Sequence, residues 1–307
     1  MSKCVSCHIF RIGKNLPRSV MTFGKAVIVG CLKNSANFLP DVFQNLEKLA
    51  SLFEDVSFIF IENDSTDTTK ATISAWGGKQ RKFKLFSLDG LDVYEPNRTL
   101  RLEIARNAYI NAIQQDTSLH AYEHMIVMDM DDRGAYPLSL KALSSALDFL
   151  NAKPECAAVF ANQSVKYYDL WALRHPQLCP FDFWHEVLST ALHVGSDQEA
   201  FDKVYAKVPK CIPKEMPPIE VESAFGGLGI YKMRFVLNNK ARYIGHEYKY
   251  FVSDGLVFSK LQTCEHVSFH QGISAQGGQM FILPYLVNSD QDTGFNPSAF
   301  RTLVIQR

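Results

Sequence analysis

Short apolar runs alternate with amphipathic stretches along most of the chain. The runs at 26–30, 56–61 and 125–128 are rich in Val, Ile, Phe and Met, which is typical of buried strands. Between the second and third runs, residues 97–113 place apolar side chains at the spacing of an amphipathic helix. Strands that alternate with helices in this way predict an α/β protein.

The remaining patterns extend this organisation. Helical spacing also occurs at 68–75 and 138–150, and an apolar run at 157–161 predicts another short buried strand. The segment 175–220 is rich in Pro, aromatic and charged residues, with a weak helical pattern at 197–206. We expect this segment to form an insertion or a lid.

Three carboxylates directly follow the run at 125–128, at Asp129, Asp131 and Asp132. Because side chains alternate along a strand, Asp129 and Asp131 are expected to point to the same side and to approach one cation. Carboxylate oxygens are hard ligands that suit Mg²⁺ or Mn²⁺. The alternative for such a triplet is a solvated acidic turn.

The run at 56–61 also ends in polar residues, beginning with Glu62, Asn63 and Asp64. Ligands of an open α/β sheet bind beyond the carboxyl ends of its parallel strands. The two polar strand ends therefore predict one shared crevice. Asp64 and the residues after it also suit a turn and a helix cap, and the two interpretations are compatible.

In combination, these motifs resemble the GT-A fold of nucleotide-sugar glycosyltransferases. Residues 61–69 are similar to the Val-Asp-Asp-Gly-Ser-Thr-Asp pattern of family 2, and their Glu-Asn-Asp-Ser-Thr-Asp variant resembles the fungal capsule mannosyltransferase-like group. The resemblance implies a Rossmann-like, mixed and mainly parallel sheet flanked by helices, with an acceptor-side insertion. It places Glu62 where the family has an Asp that binds the nucleotide base, with Asn63 and Asp64 beside it in the donor site.

The resemblance continues downstream. Residues 222–231 resemble the glycine loop through which the backbone of such an enzyme approaches donor and acceptor, which makes Gly226 and Gly227 candidate binding residues. His270 lies where a histidine completes the metal site of the family, so the implied metal ligands are Asp129, Asp131 and His270.

The Cys264-Glu-His266 segment lies where the fold usually carries x-Glu-Asp. We expect Glu265 and His266, together with Asp132, to be the catalytic residues. The replacement of Asp by His favours retention over inversion, although a histidine with an ordinary pKa near 6.5 is also a competent base at neutral pH.

The helix predicted at 97–113 begins with basic residues. Arg98 and Arg101 near its start oppose the helix dipole, which suits a nearby diphosphate or a pair with Glu103. Arg106-Asn107 resembles the Arg-Asn that helps to bind the donor nucleotide in the family. We therefore expect Arg101, Arg106 and Asn107 to bind the donor; a solvated charged face is the alternative.

Composition agrees with a compact enzyme. The 307 residues are 47% hydrophobic, enough for one elaborated domain, and 32 Lys and Arg balance 32 Asp and Glu, so no global field favours nucleic acid. No apolar run approaches the ~18 residues of a membrane span, and no secretion signal is visible. The odd count of seven cysteines then predicts reduced thiols in a cytoplasmic protein.

The motif Cys4-x-x-Cys7-His8 matches a c-type haem attachment site and half of a zinc site. No second Cys-x-x-Cys completes a zinc cage, and haem attachment of this kind requires export. We expect an extension at 1–22, a single domain at 23–287 with a nucleotide-binding half at 23–135 and an acceptor-side half at 136–287, and a tail at 288–307.

The sequence therefore predicts a glycosyltransferase that uses Mn²⁺ or Mg²⁺ to move a hexose-type sugar from a nucleotide-diphosphate sugar to a hydroxyl of a glycan, lipid or protein. Two other classes stay open. One is a Mg²⁺-dependent phosphatase of the haloacid-dehalogenase type, although its Asp-x-Asp follows the first strand and usually precedes Thr or Val. The other is a non-catalytic relative that binds carbohydrate or nucleotide.

Overall fold

The computed structural model of the chain describes residues 22–252 and 256–290. The Cys4-x-x-Cys7-His8 motif and most of the predicted extension and tail lie outside the described residues.

The described strands form one eight-stranded sheet and one two-stranded hairpin. The strands are β1 (Lys25–Leu32), β2 (Asp55–Glu62), β3 (Phe83–Ser87), β4 (His124–Met128), β5 (Cys156–Gln163), β6 (Ile219–Val221), β7 (Leu228–Lys232), β8 (His246–Val252), β9 (Leu256–Gln262) and β10 (Gln279–Ser289).

Helices connect most of these strands, and a 3₁₀ helix at Thr117–Ala121 precedes β4. The α-helices are α1 (Leu39–Ala50), α2 (Thr69–Gly77), α3 (Leu91–Tyr94), α4 (Arg98–Gln115), α5 (Asp132–Ala135), α6 (Leu140–Ala152), α7 (Phe183–Val194), α8 (Asp197–Tyr205), α9 (Met233–Leu237) and α10 (Glu265–Ser274).

The large sheet is mixed but mainly parallel. Its strand order is β3-β2-β1-β4-β7-β5-β10-β6, in which β7 runs antiparallel to both neighbours and β6 runs antiparallel to β10. The other pairs are parallel. This sheet, flanked by helices and carrying an insertion with α7 and α8 between β5 and β6, confirms the predicted fold class.

The two faces of the sheet bury separate cores because successive strand residues point in opposite directions. Val27 and Val29 pack with Ile110 of α4 on one face. Ala26 and Ile28 pack on the other face, where α1, α2 and α6 lie. Both faces of the sheet are therefore covered. As in other mainly parallel sheets, the part open to ligands is the end where the carboxyl ends of the parallel strands lie.

At that end of the sheet, several strands end in polar residues. Leu32 of β1 is in register with Glu62 at the end of β2, and Met128 at the end of β4 is in register with Leu228 at the start of β7. The backbone N–H of Asp129 donates to the carbonyl of Gly227 at 2.9 Å. The polar ends of β2 and β4 thus lie at the same end of the sheet, and the shared crevice between them stays a prediction.

Several predicted elements are found with shifted ends, and six described helices were not predicted: α1, α3, α5, α7, α9 and α10. The helix predicted from 138 begins at Leu140 because Ser139 caps it, accepting from the N–H of Ala142. Strand β10 runs to Ser289, past the predicted domain end at 287. Helix α7 was not predicted because it is rich in aromatic and β-branched residues, which have low helix propensity.

No helix in the described part of the chain is long and apolar enough to cross a bilayer. The described cysteines are all free thiols: Cys31, Cys156, Cys179, Cys211 and Cys264.

Candidate functional site

A cavity of about 330 Å³ opens beside the carboxyl ends of β4 and β5. Its floor and walls come from α4, the start of α10, the loop before β7, and the insertion after β5. The lining includes three carboxylates, four cationic side chains and a wall of aromatic rings. The charged members are Asp129, Asp169, Glu265, Arg98, Arg106, Arg133 and Lys166.

Asp129 is the acidic residue closest to the end of a central strand. Burial and the neighbouring charge of Asp131 raise the pKa of Asp129 well above its ordinary value, and Arg106 opposes this effect. Burial also raises the pKa of Asp131 and that of Asp169. Burial is the largest cause of all three raised pKa values, and a cation bound here would stabilise the ionised carboxylates.

Asp131 and Asp132 have different environments. Met130 between Asp129 and Asp131 is buried in the core. One carboxylate oxygen of Asp131 accepts from the N–H of Arg133 at 3.0 Å and caps α5. The Asp132 side chain is 48% exposed, and its carboxylate lies 3.7 Å from the Arg133 guanidinium. Neither Asp131 nor Asp132 is in the lining of the cavity. The predicted catalytic role of Asp132 therefore gains no support, and Asp129 is the member of the acidic triplet that faces the cavity.

Arg106 joins the two acidic parts of the site. Its Nε donates to the Glu265 carboxylate at 2.7 Å, and a terminal nitrogen lies 3.8 Å from the Asp129 carboxylate. The guanidinium also lies over the ring of Phe225, at 5.1 Å from its centre. Arg106 and Glu265 are both almost fully buried. Arg106 is therefore a positioning residue between Asp129 and Glu265. The nitrogens of its guanidinium group are largely engaged by these two carboxylates.

The glycine loop before β7 passes close to the carboxylates. Gly226 and Gly227 have φ values of 64° and 87°, in the left-handed region that favours glycine. The N–H of Gly226 donates to Asp169 at 2.9 Å. A Cβ on Gly227 would lie 3.3 Å from an Asp129 oxygen and 3.1 Å from the Tyr168 hydroxyl. The backbone of this loop thus lies close to the Asp129 carboxylate, and Gly226 holds the Asp169 carboxylate in the cavity that Asp129 also lines.

The prediction of His270 as a metal ligand disagrees with the structure. His270 is on α10 and fully buried, with one ring nitrogen 2.8 Å from the Ser223 hydroxyl and the other 2.9 Å from the Tyr231 hydroxyl. Burial lowers its pKa to about 3, so the ring is neutral and belongs to the core. Both nitrogens that could bind a metal are already engaged.

His266 also differs from expectation. Its ring is 2% exposed and stacks on Phe225 with 4.1 Å between ring centres. Burial and the charge of Arg106 lower its pKa well below 6.5. The expectation of an ordinary histidine pKa is therefore wrong, and His266 is a weaker base than the sequence suggested.

The acidic residues that follow β4 are compatible with a divalent metal. Within 22–252 and 256–290, no group of three or more His, Cys, Asp or Glu side chains is arranged to hold a metal ion. Mg²⁺ and similar hard cations are nevertheless often held by one or two carboxylates, with phosphate oxygens and water completing the shell. Asp129 and Asp131 fit that donor set.

The predicted base-binding loop is held mainly by its own hydrogen bonds. Glu62 is 1% exposed, and its oxygens accept from the Ser65 N–H at 2.8 Å and the Ser87 hydroxyl at 3.0 Å. Asp64 has φ 49°, where the family pattern has glycine, and accepts from the N–H groups of Gly90 at 2.5 Å and Asp92 at 2.8 Å. These carboxylates shape the end of β2.

The remaining predicted donor residues contact neighbouring loops. Asn63 donates to Asp92 at 3.1 Å, and Arg101 pairs with the same carboxylate at 3.1 Å. Asn107 forms hydrogen bonds in both directions with the backbone of Tyr243. Asn107 is therefore placed as a structural link between α4 and the segment before β8, and it does not line the cavity.

Asp169 is the functional candidate that the sequence did not single out. It lies in the aromatic segment after β5, and its carboxylate accepts from the N–H groups of Gly226 at 2.9 Å and Ala172 at 3.3 Å. An acidic residue flanked by Tyr168 and aromatic neighbours was the available signal. Its proximity to Asp129 arises from pairing of the two strands with β7, which one sequence does not reveal.

The mixed sheet, the polar strand ends and the glycine loop define the architecture implied by the resemblance to the GT-A fold. No protein-family model matches the chain, and no curated protein sequence matches it.

Similar solved structures have low sequence identity. Mannosyltransferase PcManGT from Pyrobaculum calidifontis, in complex with GDP-Man and Mn²⁺, is 13% identical over 85% of this chain and 55% of that one, with a TM-score of 0.43. S. aureus TarS 1-349 with UDP-GlcNAc is 11% identical over 90% and 61%, with a TM-score of 0.47. Glucosyl-3-phosphoglycerate synthase from Mycobacterium tuberculosis, with Mn²⁺, UDP and phosphoglyceric acid, is 10% identical over 91% and 75%, with a TM-score of 0.43. This chain thus spans little more than half of the first two proteins.

Proposed function

We propose that this protein is a metal-dependent glycosyltransferase that moves a hexose-type sugar from a nucleotide-diphosphate sugar to an acceptor hydroxyl. The observation that carries the proposal is the position of Asp129. It lies at the carboxyl end of a central strand, in a cavity that it shares with Asp169 and with the cationic side chains of Arg98 and Arg133. Such a place combines sites for a cation and for phosphate oxygens.

Asp129 and Asp131 are the residues that would hold Mn²⁺ or Mg²⁺. A bound divalent metal supplies charge stabilisation to a departing diphosphate. The raised pKa values of the two carboxyls are compatible with this assignment, because burial is the main cause that disfavours their ionised forms and a bound cation would stabilise those forms. Asp129 is held in position from one side by Arg106 and from the other by the backbone of Gly227.

Arg98 and Arg133 are the cationic groups that we assign to the diphosphate. Both line the cavity, and Arg98 is exposed at the start of α4. The Arg133 guanidinium lies over the Tyr168 ring, 4.5 Å from its centre, which fixes its direction. A guanidinium fork matches phosphate oxygens well. The guanidinium of Arg106, by contrast, is already hydrogen-bonded to the Glu265 carboxylate.

We expect the anomeric configuration of the sugar to be retained. The Glu265 carboxylate accepts a charged hydrogen bond from Arg106, and burial lowers the pKa of His266, so the segment that replaces x-Glu-Asp contains no strong base. Proton NMR of the product gives the configuration directly. Inversion, together with a collapse of turnover in His266→Ala, would contradict this expectation and identify His266 as the base.

Replacing Glu62 by Ala is expected to raise the donor KM much more than it lowers kcat. The change removes both hydrogen bonds that shape the end of β2, so it weakens binding of the ground state and the transition state alike. Glu62→Gln keeps an acceptor for Ser65 and a group that can bond Ser87, and it is the matched control with a smaller effect. Steady-state kinetics measure both constants. Equal losses in kcat and kcat/KM would instead assign Glu62 to the chemical step.

A donor screen tests the proposed function. UDP-, GDP- and dTDP-sugars are incubated with the protein and Mn²⁺, and released nucleotide is measured with water or a simple sugar as acceptor. Release from one of these donors is the expected result. Hydrolysis of a generic phosphomonoester without any nucleotide release would favour the phosphatase class, and nucleotide binding without turnover would favour a non-catalytic relative.

A further inference from the structure

Tyr168 lines the cavity, and its hydroxyl is open to a ligand. The ring lies under the Arg133 guanidinium. The hydroxyl has no hydrogen-bond partner within 22–252 and 256–290, and it is not among the unpartnered polar atoms that are closed to solvent. The adjacent Tyr167 differs, because its unpartnered hydroxyl is fully buried. A molecule bound in the cavity can therefore form a hydrogen bond with Tyr168 but not with Tyr167.

The Tyr168 hydroxyl lies beside Asp129. A Cβ on Gly227 would lie 3.1 Å from this hydroxyl and 3.3 Å from an Asp129 carboxylate oxygen, so both atoms border the space that the glycine leaves open. Burial, followed by the charges of Asp129 and Asp169, raises the pKa of Tyr168 well above its ordinary value. The hydroxyl therefore stays protonated at neutral pH, and it can donate a hydrogen bond next to a metal held by Asp129.

The strand order places Tyr168 on the far side of Asp129 from the predicted base-binding loop. Along the sheet, β1 lies between β2 and β4, and β7 lies between β4 and β5. The carboxyl ends of β2, β4 and β5 lie at the same end of the sheet, because these three strands run in the same direction. A donor with its base near Glu62 and its metal at Asp129 therefore extends its sugar-bearing phosphate toward Tyr168, which follows β5.

We propose that the Tyr168 hydroxyl donates a hydrogen bond to the phosphate that bears the sugar, while the ring of Tyr168 supports Arg133 on the same diphosphate. This inference rests on the proposed function. In the transfer, the bond between the anomeric carbon and the phosphate oxygen breaks, and its electron pair stays with the diphosphate. The acceptor oxygen bonds to the carbon, and its proton passes to the departing diphosphate. Negative charge grows on that phosphate before the proton arrives, so the hydroxyl binds it more strongly in the transition state.

Tyr168→Phe tests the hydroxyl alone, because it keeps the ring under Arg133. The probes are inorganic pyrophosphate and the diphosphates UDP, GDP and dTDP, each titrated by calorimetry with Mn²⁺. We expect the dissociation constants of pyrophosphate and of the nucleoside diphosphate that binds the parent to rise about tenfold, as for one hydrogen bond to a charged group. The matching nucleoside monophosphate lacks the sugar-bearing phosphate, so its dissociation constant should hardly change. With the donor selected by the screen, kcat should fall roughly 10²-fold.

Tyr167→Phe is the matched control, because it removes a hydroxyl from the adjacent residue that a ligand in the cavity cannot reach. We expect its dissociation constants to equal those of the parent. Circular dichroism first establishes that both variants are folded. Parent-like affinities of Tyr168→Phe for pyrophosphate and the nucleoside diphosphate would overturn the proposal. A loss of affinity confined to the intact sugar nucleotide would also overturn it, because the hydroxyl would then bind the sugar.

The outcomes separate this inference from the proposed function. Pyrophosphate binding that requires both Mn²⁺ and the Tyr168 hydroxyl, without nucleotide release from any sugar donor, contradicts the proposed function and supports the phosphate contact. Normal nucleotide release with parent-like affinities in Tyr168→Phe supports the proposed function and overturns the phosphate contact. Absence of Mn²⁺-dependent binding of every phosphate probe to the parent contradicts both.

Discussion

Arg106→Met is expected to lower the free energy of unfolding by about 3–5 kcal/mol, because it leaves the buried Glu265 carboxylate without its charged partner. It also removes the contact that orients Asp129, and it removes the guanidinium that lies over the ring of Phe225. Urea unfolding followed by circular dichroism measures the change.

The double variant Arg106→Met, Glu265→Leu separates stability from function. Replacing both members of a buried ion pair by apolar residues is often close to neutral, so we expect most of the stability to return while transfer stays impaired. Lys70→Met breaks an exposed pair with Asp89 and serves as the control for loss of a cation. A single Arg106→Met variant within about 0.5 kcal/mol of the parent would contradict the assigned pair.

Asp129→Asn is expected to reduce transfer by roughly 10²–10³-fold, the usual effect of losing one electrostatic contact to a developing charge. Its stability should be unchanged or higher, because burial and Asp131 already disfavour the ionised form of Asp129. The measurement is the initial rate with the donor selected by the screen, together with the melting temperature.

Asp148→Asn is the matched control for this substitution. Asp148 is exposed on α6 and its replacement removes the same charge far from the strand ends. We expect no change in rate. A loss of stability in Asp129→Asn that accounts for its loss of activity would show that the carboxylate is structural.

Local patterns in the sequence were sufficient for β1, β2, β4 and β5 and for the acidic residues that follow β4. The apolar runs before Glu62 and Asp129 predicted β2 and β4. The glycines at 226 and 227 both have positive φ, and the backbone at Gly227 passes close to Asp129 and Tyr168. These features depend on short-range periodicity and on glycine stereochemistry, which a single sequence displays.

Features that depend on long-range packing were not predictable in the same way. His270 was assigned to the metal from a motif position, but α10 turns it into the core between Ser223 and Tyr231. The pairing of Arg106 with Glu265 joins residues 159 positions apart. The neutral His266 follows from burial, which no local pattern reveals.

The central claim is that Asp129 and a divalent metal act together on a nucleotide-diphosphate donor. The most direct measurement is calorimetric binding of the nucleoside diphosphate, with Mn²⁺ and with EDTA, to the parent protein and to Asp129→Asn. We expect binding to the parent that requires Mn²⁺ and is lost in the variant. Equal binding with EDTA, or binding to Asp129→Asn as tight as to the parent, would contradict the account.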